Sequence, residues 1–403
     1  MKRNLLVGQS GGPTAAINAS LAGVVSEAIN GDVFDKVFGC VNGISGVINE
    51  TFVDMDKFKD PYKVRLLKQT PSSYLGSCRK RLPDDGEIYK QIFDVFEKHN
   101  IGAFVYIGGN DSMDTVSKLG RYSAEHNKNV SIIGVPKTID NDLIMTDHTP
   151  GYASAAKYIA NSIRQLALDT AVYDMKSVIV AEIMGRNAGW LTAAASLAND
   201  DKISPVDIIC LPEVPFDTDS FIQKVAEVEE RKQTTIIAVS EGICNSDGEY
   251  ILSDMHARAA SDGFSHAALG GVGKNLEMEI SEKLGIKTRS IEFSTLQRCN
   301  AETASLCDVD ESFEQGREGA RLAGEGDNAV MVGILRKPGK SYEPYITKFD
   351  VTVIANKEKK IPLSMISEDK FGVTSEFTDY ASPLINGQPK ILYNNGVIDF
   401  EVR

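Results

Sequence analysis

Short apolar runs recur along the chain, at 5–7, 104–107, 132–135, 178–183 (broken only by Glu182), 208–211 and 236–239. Each ends in a turn built of glycine, proline or polar residues. Four of the turns lead into apolar residues at helical spacing, reaching to about Ile29, starting at about Met113, spanning roughly 152–168, and lying around 190–197. A further β run is expected between Arg289 and Arg298, ending at Leu296-Gln297. Runs that are apolar throughout, rather than alternating, belong to strands covered on both faces, and strands alternating with helices build parallel sheets. The expected class is therefore α/β, in two layers divided near residue 150. Every polar turn then lies at the carboxyl end of a strand, where such sheets bind ligands. Beyond about Lys337 the pattern changes to β-branched residues, lysines and turns without a glycine loop, which reads as a β-containing appendage.

Composition narrows the partners. A chain of 403 residues is too long for one simple core, so two domains are the default. With 43 basic and 56 acidic residues the formal charge is −13, which argues against nucleic acid and against anionic membranes. An anionic ligand would need a local cluster of positive groups. The apolar run before Gly8 is too short for a signal peptide, and no stretch reaches the roughly 20 apolar residues of a membrane span. The six cysteines form no CxxC and the five histidines have no zinc spacing, so reduced thiols, a cytoplasmic location and a hard, oxygen-bound cation are expected.

Three loops carry candidate chemistry. Gly11-Gly12 lets backbone N–H groups approach a phosphate, with Pro13 suited to a first helical turn; an isolated Gly-Gly is also an ordinary tight turn. GGNDS at 108–112 gathers two glycines, an amide, a carboxylate and a hydroxyl at a helix entry, where they also serve as caps. KTIDND at 137–142 is the most informative. In an extended loop Thr138, Asp140 and Asp142 share one face, which suits a general base beside a divalent cation, and Lys137 suits a phosphate. Arg79, Arg186, Arg289 and Arg298 supply cations near strand ends, a pattern better explained by phosphate binding than by surface charge.

SGG at 10–12, GGNDS, PKTIDND at 136–142, MGR at 184–186, Pro212-Glu213, SEG at 240–242 and Gln297-Arg298 come in the order and approximate spacing of the phosphofructokinases, which the chain resembles over roughly residues 1–335. The resemblance implies two Rossmann-like three-layer domains with mostly parallel sheets and an active-site cleft between them. It divides the chain into 1–150 plus about 297–335, on the phosphoryl-donor side, and 151–296 plus about 336–403, on the sugar-phosphate side. It implies phosphoryl transfer to the C1 hydroxyl of fructose 6-phosphate with Mg²⁺, in homodimers or homotetramers that share active sites. Asp140 resembles the general base, supported by Thr138 and Asp142. Gly11, Arg79 and Lys137 are expected to stabilise the transferred phosphoryl. Met184, Gly185, Arg186 and Glu241 are expected to hold the sugar. Arg289 and Arg298 are expected to grip the 6-phosphate, reaching in from a neighbouring subunit. Asn110 and Asp111 are the expected metal positions.

ATP-using members carry glycine where this chain has Asp111 and Lys137. The exchange resembles the pyrophosphate-dependent members, so pyrophosphate is the expected donor, with ATP as the alternative. Three departures matter. Asn110 replaces a metal-binding aspartate, which brings Asp142 and the donor itself into consideration as ligands. Thr295 replaces a sugar-phosphate histidine, which leaves sedoheptulose 7-phosphate open as a second acceptor. Ala22 and Ser26 replace effector-binding arginines, which argues against nucleotide regulation.

Overall fold

The computed structural model describes residues 2–251, 270–339, 341–355 and 357–403; His256 and His266, counted above for zinc spacing, lie outside the described residues. Besides a short two-stranded ribbon of Tyr393–Asn394 and Val397–Ile398, its strands, in chain order, are β1 (Arg3–Gln9), β2 (Phe34–Cys40), β3 (Phe52–Asp54), β4 (Ile101–Gly108), β5 (Ser131–Pro136), β6 (Ser177–Ile183), β7 (Val206–Cys210), β8 (Thr234–Ser240), β9 (Lys287–Glu292), β10 (Val330–Arg336) and β11 (Pro344–Asp350). They form a seven-stranded sheet of order β11-β10-β5-β4-β1-β2-β3 and a four-stranded sheet of order β7-β8-β6-β9. The smaller sheet is parallel throughout. In the larger one only β3 and β11, both at edges, run antiparallel.

The chain divides into two compact units. The first holds 1–154, 298–358 and 385–403; the second holds 155–297 and 359–384. The segment after about 336, expected as a whole with the second domain, is thus split. β11 pairs with β10 along its full length in the first unit. The last residues also belong there: Gln69 Nε2 donates to the carbonyls of Leu392 and Asp399, and the Glu401 carboxylate pairs with Lys57 and Lys63.

Apolar runs become central strands because both of their faces are covered. On β1, Leu5 and Val7 pack with Ile17, Leu21 and Val24, while Leu6 packs on the opposite face with Phe96, Phe104 and Tyr106. The first covering helix, Ile17–Asn30, lies against the helix Leu306–Glu325 at very close range. A Cβ at Gly23 would stand 2.0 Å from the Phe313 carbonyl oxygen, and one at Gly316 would stand 2.0 Å from that of Ser20. Both positions need glycine for the approach of backbone to backbone.

Two local expectations differ from the structure. The β run before Arg298 ends at Glu292, and Leu296–Cys299 is a helical turn. The helix near 190 is α only over Trp190–Ala193 and tightens to 3₁₀ over Ala194–Ala198.

Candidate active site

In the first unit, the loops after β1, β4 and β5 meet because the three strands are parallel neighbours that end at the same level. Gly11 adopts φ +80, open to glycine and strained for other residues. Ser77 Oγ donates to the Gly11 carbonyl at 2.7 Å and Ser10 Oγ donates to the Cys78 carbonyl at 3.1 Å. These two bonds stitch the stretch that carries Arg79 to the glycine loop, with Arg79 exposed.

Lys137 reaches into the same loop. It is 3% exposed, and its Nζ donates to the Gly12 carbonyl at 2.6 Å. A Cβ on Gly11 would lie 3.0 Å from that nitrogen, and one on Gly12 would lie 3.5 Å from Arg298 Nη1. Burial pulls the Lys137 ammonium down to about 8, a shift that the Asp140 and Asp142 carboxylates oppose. Arg298 stands here, among Gly12, Lys137 and Asp140 of its own chain, whereas the sequence reading sent it to the 6-phosphate of a neighbouring subunit. Arg289 belongs to the second unit, exposed on the edge strand β9.

The loop after Lys137 is a turn and not the extended segment expected. Asn141 takes a left-handed conformation, φ 54, and reverses the chain between the two aspartates. Thr138 Oγ1 accepts from the Asp140 N–H at 3.1 Å and lies 3.4 Å from its carboxylate. Asp142 faces Asn110 instead, Nδ2 to Oδ2 at 3.5 Å. Burial raises both carboxyls. The Asp140 charge adds to the rise at Asp142, while Lys137, Thr138 and Arg298 counter it at Asp140. A carboxylate raised in this way is a better proton acceptor at neutral pH.

Among the described residues, Asn110 Oδ1 and Asp142 Oδ1 are buried without a hydrogen-bond partner. Two orphaned oxygens on neighbouring side chains fit a hard cation, which takes oxygen ligands and fills its shell with water and phosphate. Asp111, the other expected metal position, points elsewhere: it is exposed and pairs with Arg81 at 2.8 Å.

In the second unit the expected sugar-binding residues come together at the ends of β6 and β8. Gly185, with φ +132, donates its N–H to Glu241 Oε1 at 3.3 Å. Ser240 Oγ donates to the Gly185 carbonyl at 2.6 Å, and the Met184 N–H donates to Gln297 Oε1 at 3.3 Å. Gly242 is fixed as glycine because a Cβ there would stand 1.9 Å from the Arg186 carbonyl oxygen. Met184, Arg186 and Glu241 are thus presented from one laced pair of strand ends.

The sequence did not point to the segment that holds the turn at 138–142. Thr149 Oγ1 donates to the Thr138 carbonyl at 2.8 Å, the Thr149 N–H donates to Asn141 Oδ1 at 3.1 Å, and the Thr138 N–H donates to the Pro150 carbonyl at 3.1 Å. The available signal was Thr149-Pro150-Gly151, a turn sequence directly before a helix.

The family model described as phosphofructokinase matches residues 4–308. The chain is 39% identical to the pyrophosphate–fructose 6-phosphate 1-phosphotransferase of Xanthomonas campestris pv. campestris, over 97% of this chain and 94% of that one. It is 37% identical to the protein of the same name from Methylococcus capsulatus, over 99% and 95%. The solved structure of a pyrophosphate-dependent phosphofructokinase from Nitrosospira multiformis superposes with a TM-score of 0.89 at 34% identity, covering 99% of this chain and 96% of that one. With the family model and relatives matched over nearly their full length in agreement, the chain belongs to the phosphofructokinase family.

Proposed function

We propose that this chain transfers a phosphoryl group from pyrophosphate to the C1 hydroxyl of fructose 6-phosphate, reversibly, giving fructose 1,6-bisphosphate and phosphate. The observation that carries the choice of donor is the Lys137 ammonium, buried in the Gly11-Gly12 loop and bonded to the Gly12 carbonyl. It offers a charge to the end of a short polyanion, while Asp111, where ATP-using members carry glycine, would crowd and repel the rest of a nucleotide. The names of the relatives point the same way.

Asp140 takes the C1 hydroxyl proton, with Thr138 orienting its carboxylate. Lys137, Arg79, Arg298 and the Gly11-Gly12 N–H groups hold the transferred phosphoryl, where charge must be stabilised during transfer. Magnesium fits Asn110 and Asp142 and, when bound, would neutralise the donor oxygens. Met184, Gly185, Arg186 and Glu241 hold the sugar. We place the enzyme in the cytoplasm as a homodimer or homotetramer; the free state of all six thiols supports the first, and the exposed Arg289 on an edge strand supports the second. Among the described residues no helix is long and apolar enough to cross a membrane.

Steady-state assays with pyrophosphate and ATP in turn, on fructose 6-phosphate and on sedoheptulose 7-phosphate, test this reading. Turnover with pyrophosphate on fructose 6-phosphate supports it, and activity with ATP alone overturns the donor assignment.

A further inference from the structure

The catalytic turn is fixed from behind by a buried, charged framework. Residues 147–151 run beside it and make the three Thr149 and Pro150 hydrogen bonds described above, and Thr138 and Gly151 form a β-bridge. His148 anchors this strap. Its ring is 1% exposed, with Nδ1 2.9 Å from Asp147 Oδ2 and Nε2 2.7 Å from Glu311 Oε2.

Charged and polar groups surround the ring. Arg336 Nη2 donates to Asp147 Oδ2 at 2.9 Å. Tyr342 OH donates to Glu311 Oε1 at 2.5 Å, and Cys307 Sγ donates to the same oxygen at 3.2 Å. Asp308, one turn before Glu311, accepts from the N–H groups of Gly151 and Ser154 at 2.8 and 3.0 Å. Its charge also acts on the His148 ring. The helix Leu306–Glu325 therefore grips the strap at two points, one on each side of Thr149 and Pro150.

We propose that His148, held between Asp147 and Glu311, is a positioning residue that fixes the backbone of 138–141 for phosphoryl transfer. An imidazole can donate from both nitrogens only when charged. The two carboxylates keep it so, raising His148 to about 9 despite its burial. With both N–H groups committed, the strap cannot rotate about His148, and Thr149 and Pro150 stay in register with Thr138 and Asn141. The chemistry it serves is the transfer under Proposed function.

The test uses the full chain with His148→Gln, Thr149→Val and the double variant. Hydrogen exchange of the peptide spanning 137–142 should become about tenfold faster in each, a readout that needs no substrate. The kcat should fall about 10- to 100-fold, while the KM for fructose 6-phosphate stays within about twofold. The double variant should lose no more than the larger single loss, because both changes break one chain of contacts. Unchanged exchange at 137–142 overturns the proposal. So does unchanged kcat with only a lower melting temperature, or a double-variant loss equal to the product of the single losses. If the unaltered enzyme turns over neither donor, the functional reading falls while the exchange result still decides this one.

Discussion

The Lys137 ammonium and the Gly12 carbonyl oxygen are 2.6 Å apart, which fixes a cation inside the glycine loop. That cation is charged below about pH 8 and neutral above it. The kcat/KM for pyrophosphate should therefore fall as pH rises through about 8, since this ratio reports the free enzyme. Lys137→Met should lower the ratio at pH 7 about 100-fold or more and remove the alkaline limb. A pH–rate profile of both proteins checks this, and an identical limb in the variant refutes it.

Removing the proposed base should separate chemistry from binding. Asp140→Asn keeps the size and the Thr138 contact but loses the proton acceptor. Turnover should drop about 10³-fold, with calorimetric affinity for fructose 6-phosphate within about twofold. Near-normal turnover would show that another group takes the proton.

Asn110→Asp should act through the metal. Without Mg²⁺ the new carboxylate faces Asp142 with no N–H to offer it, so the melting temperature should fall. Titrating Mg²⁺ should then raise the melting temperature by more than in the parent protein, because a charged oxygen binds the ion more tightly. An equal Mg²⁺ response in both proteins would remove residue 110 from the metal site.

The pH dependence of stability should expose His148. Its folded pKa, about 9, lies above the ordinary value of 6.5. The stabilisation is therefore fully present below about pH 6.5 and is lost as pH rises through about 9. The gap in melting temperature between the parent protein and His148→Gln should be widest at acid pH and shrink across that window. A constant gap would mean that the ring is neutral in the folded protein.

Gly316→Ala puts a methyl group 2.0 Å from the Ser20 carbonyl oxygen. Neither backbone can yield without parting the helices Ile17–Asn30 and Leu306–Glu325. A loss of about 1–3 kcal/mol in denaturant unfolding is expected. An unchanged denaturation midpoint would mean that the contact relaxes freely.

Much of this was legible because central parallel strands announce themselves. Leu5 through Val7 and Val178 through Ala181 are apolar throughout since both faces are covered, and the loops after their strands hold the candidate site residues. Strands at or next to an edge carry weaker patterns: β2, one strand in from the edge, contains Asp35 and Lys36, and the edge strand β11 alternates Tyr345, Thr347 and Phe349 with other residues, so neither stood out. The turn at 137–142 was misread as extended because period-two alternation describes a strand, while one left-handed Asn141 sends Asp140 and Asp142 to different partners. The pairing of Asp111 with Arg81, the placing of Arg298 beside Gly12, and the grip of Glu311 on His148 join residues that are far apart in the chain. No local pattern encodes such contacts.

The first unit is discontinuous, and this bears on its biogenesis. β5, which delivers Lys137 and Asp140, pairs on its outer side with β10. During synthesis some 190 residues emerge between those two strands, roughly ten to forty seconds at ribosomal rates. Through that interval β5, polar only at Ser131, is an open sheet edge, a template for pairing with another nascent chain. Residues 138–141 also wait for Asp308 and Glu311 to arrive before they are locked. Ordering of the 138–141 turn is thus a late event, and a ribosome stalled between residues 155 and 297 would release a chain with that sheet edge open and that turn unlocked.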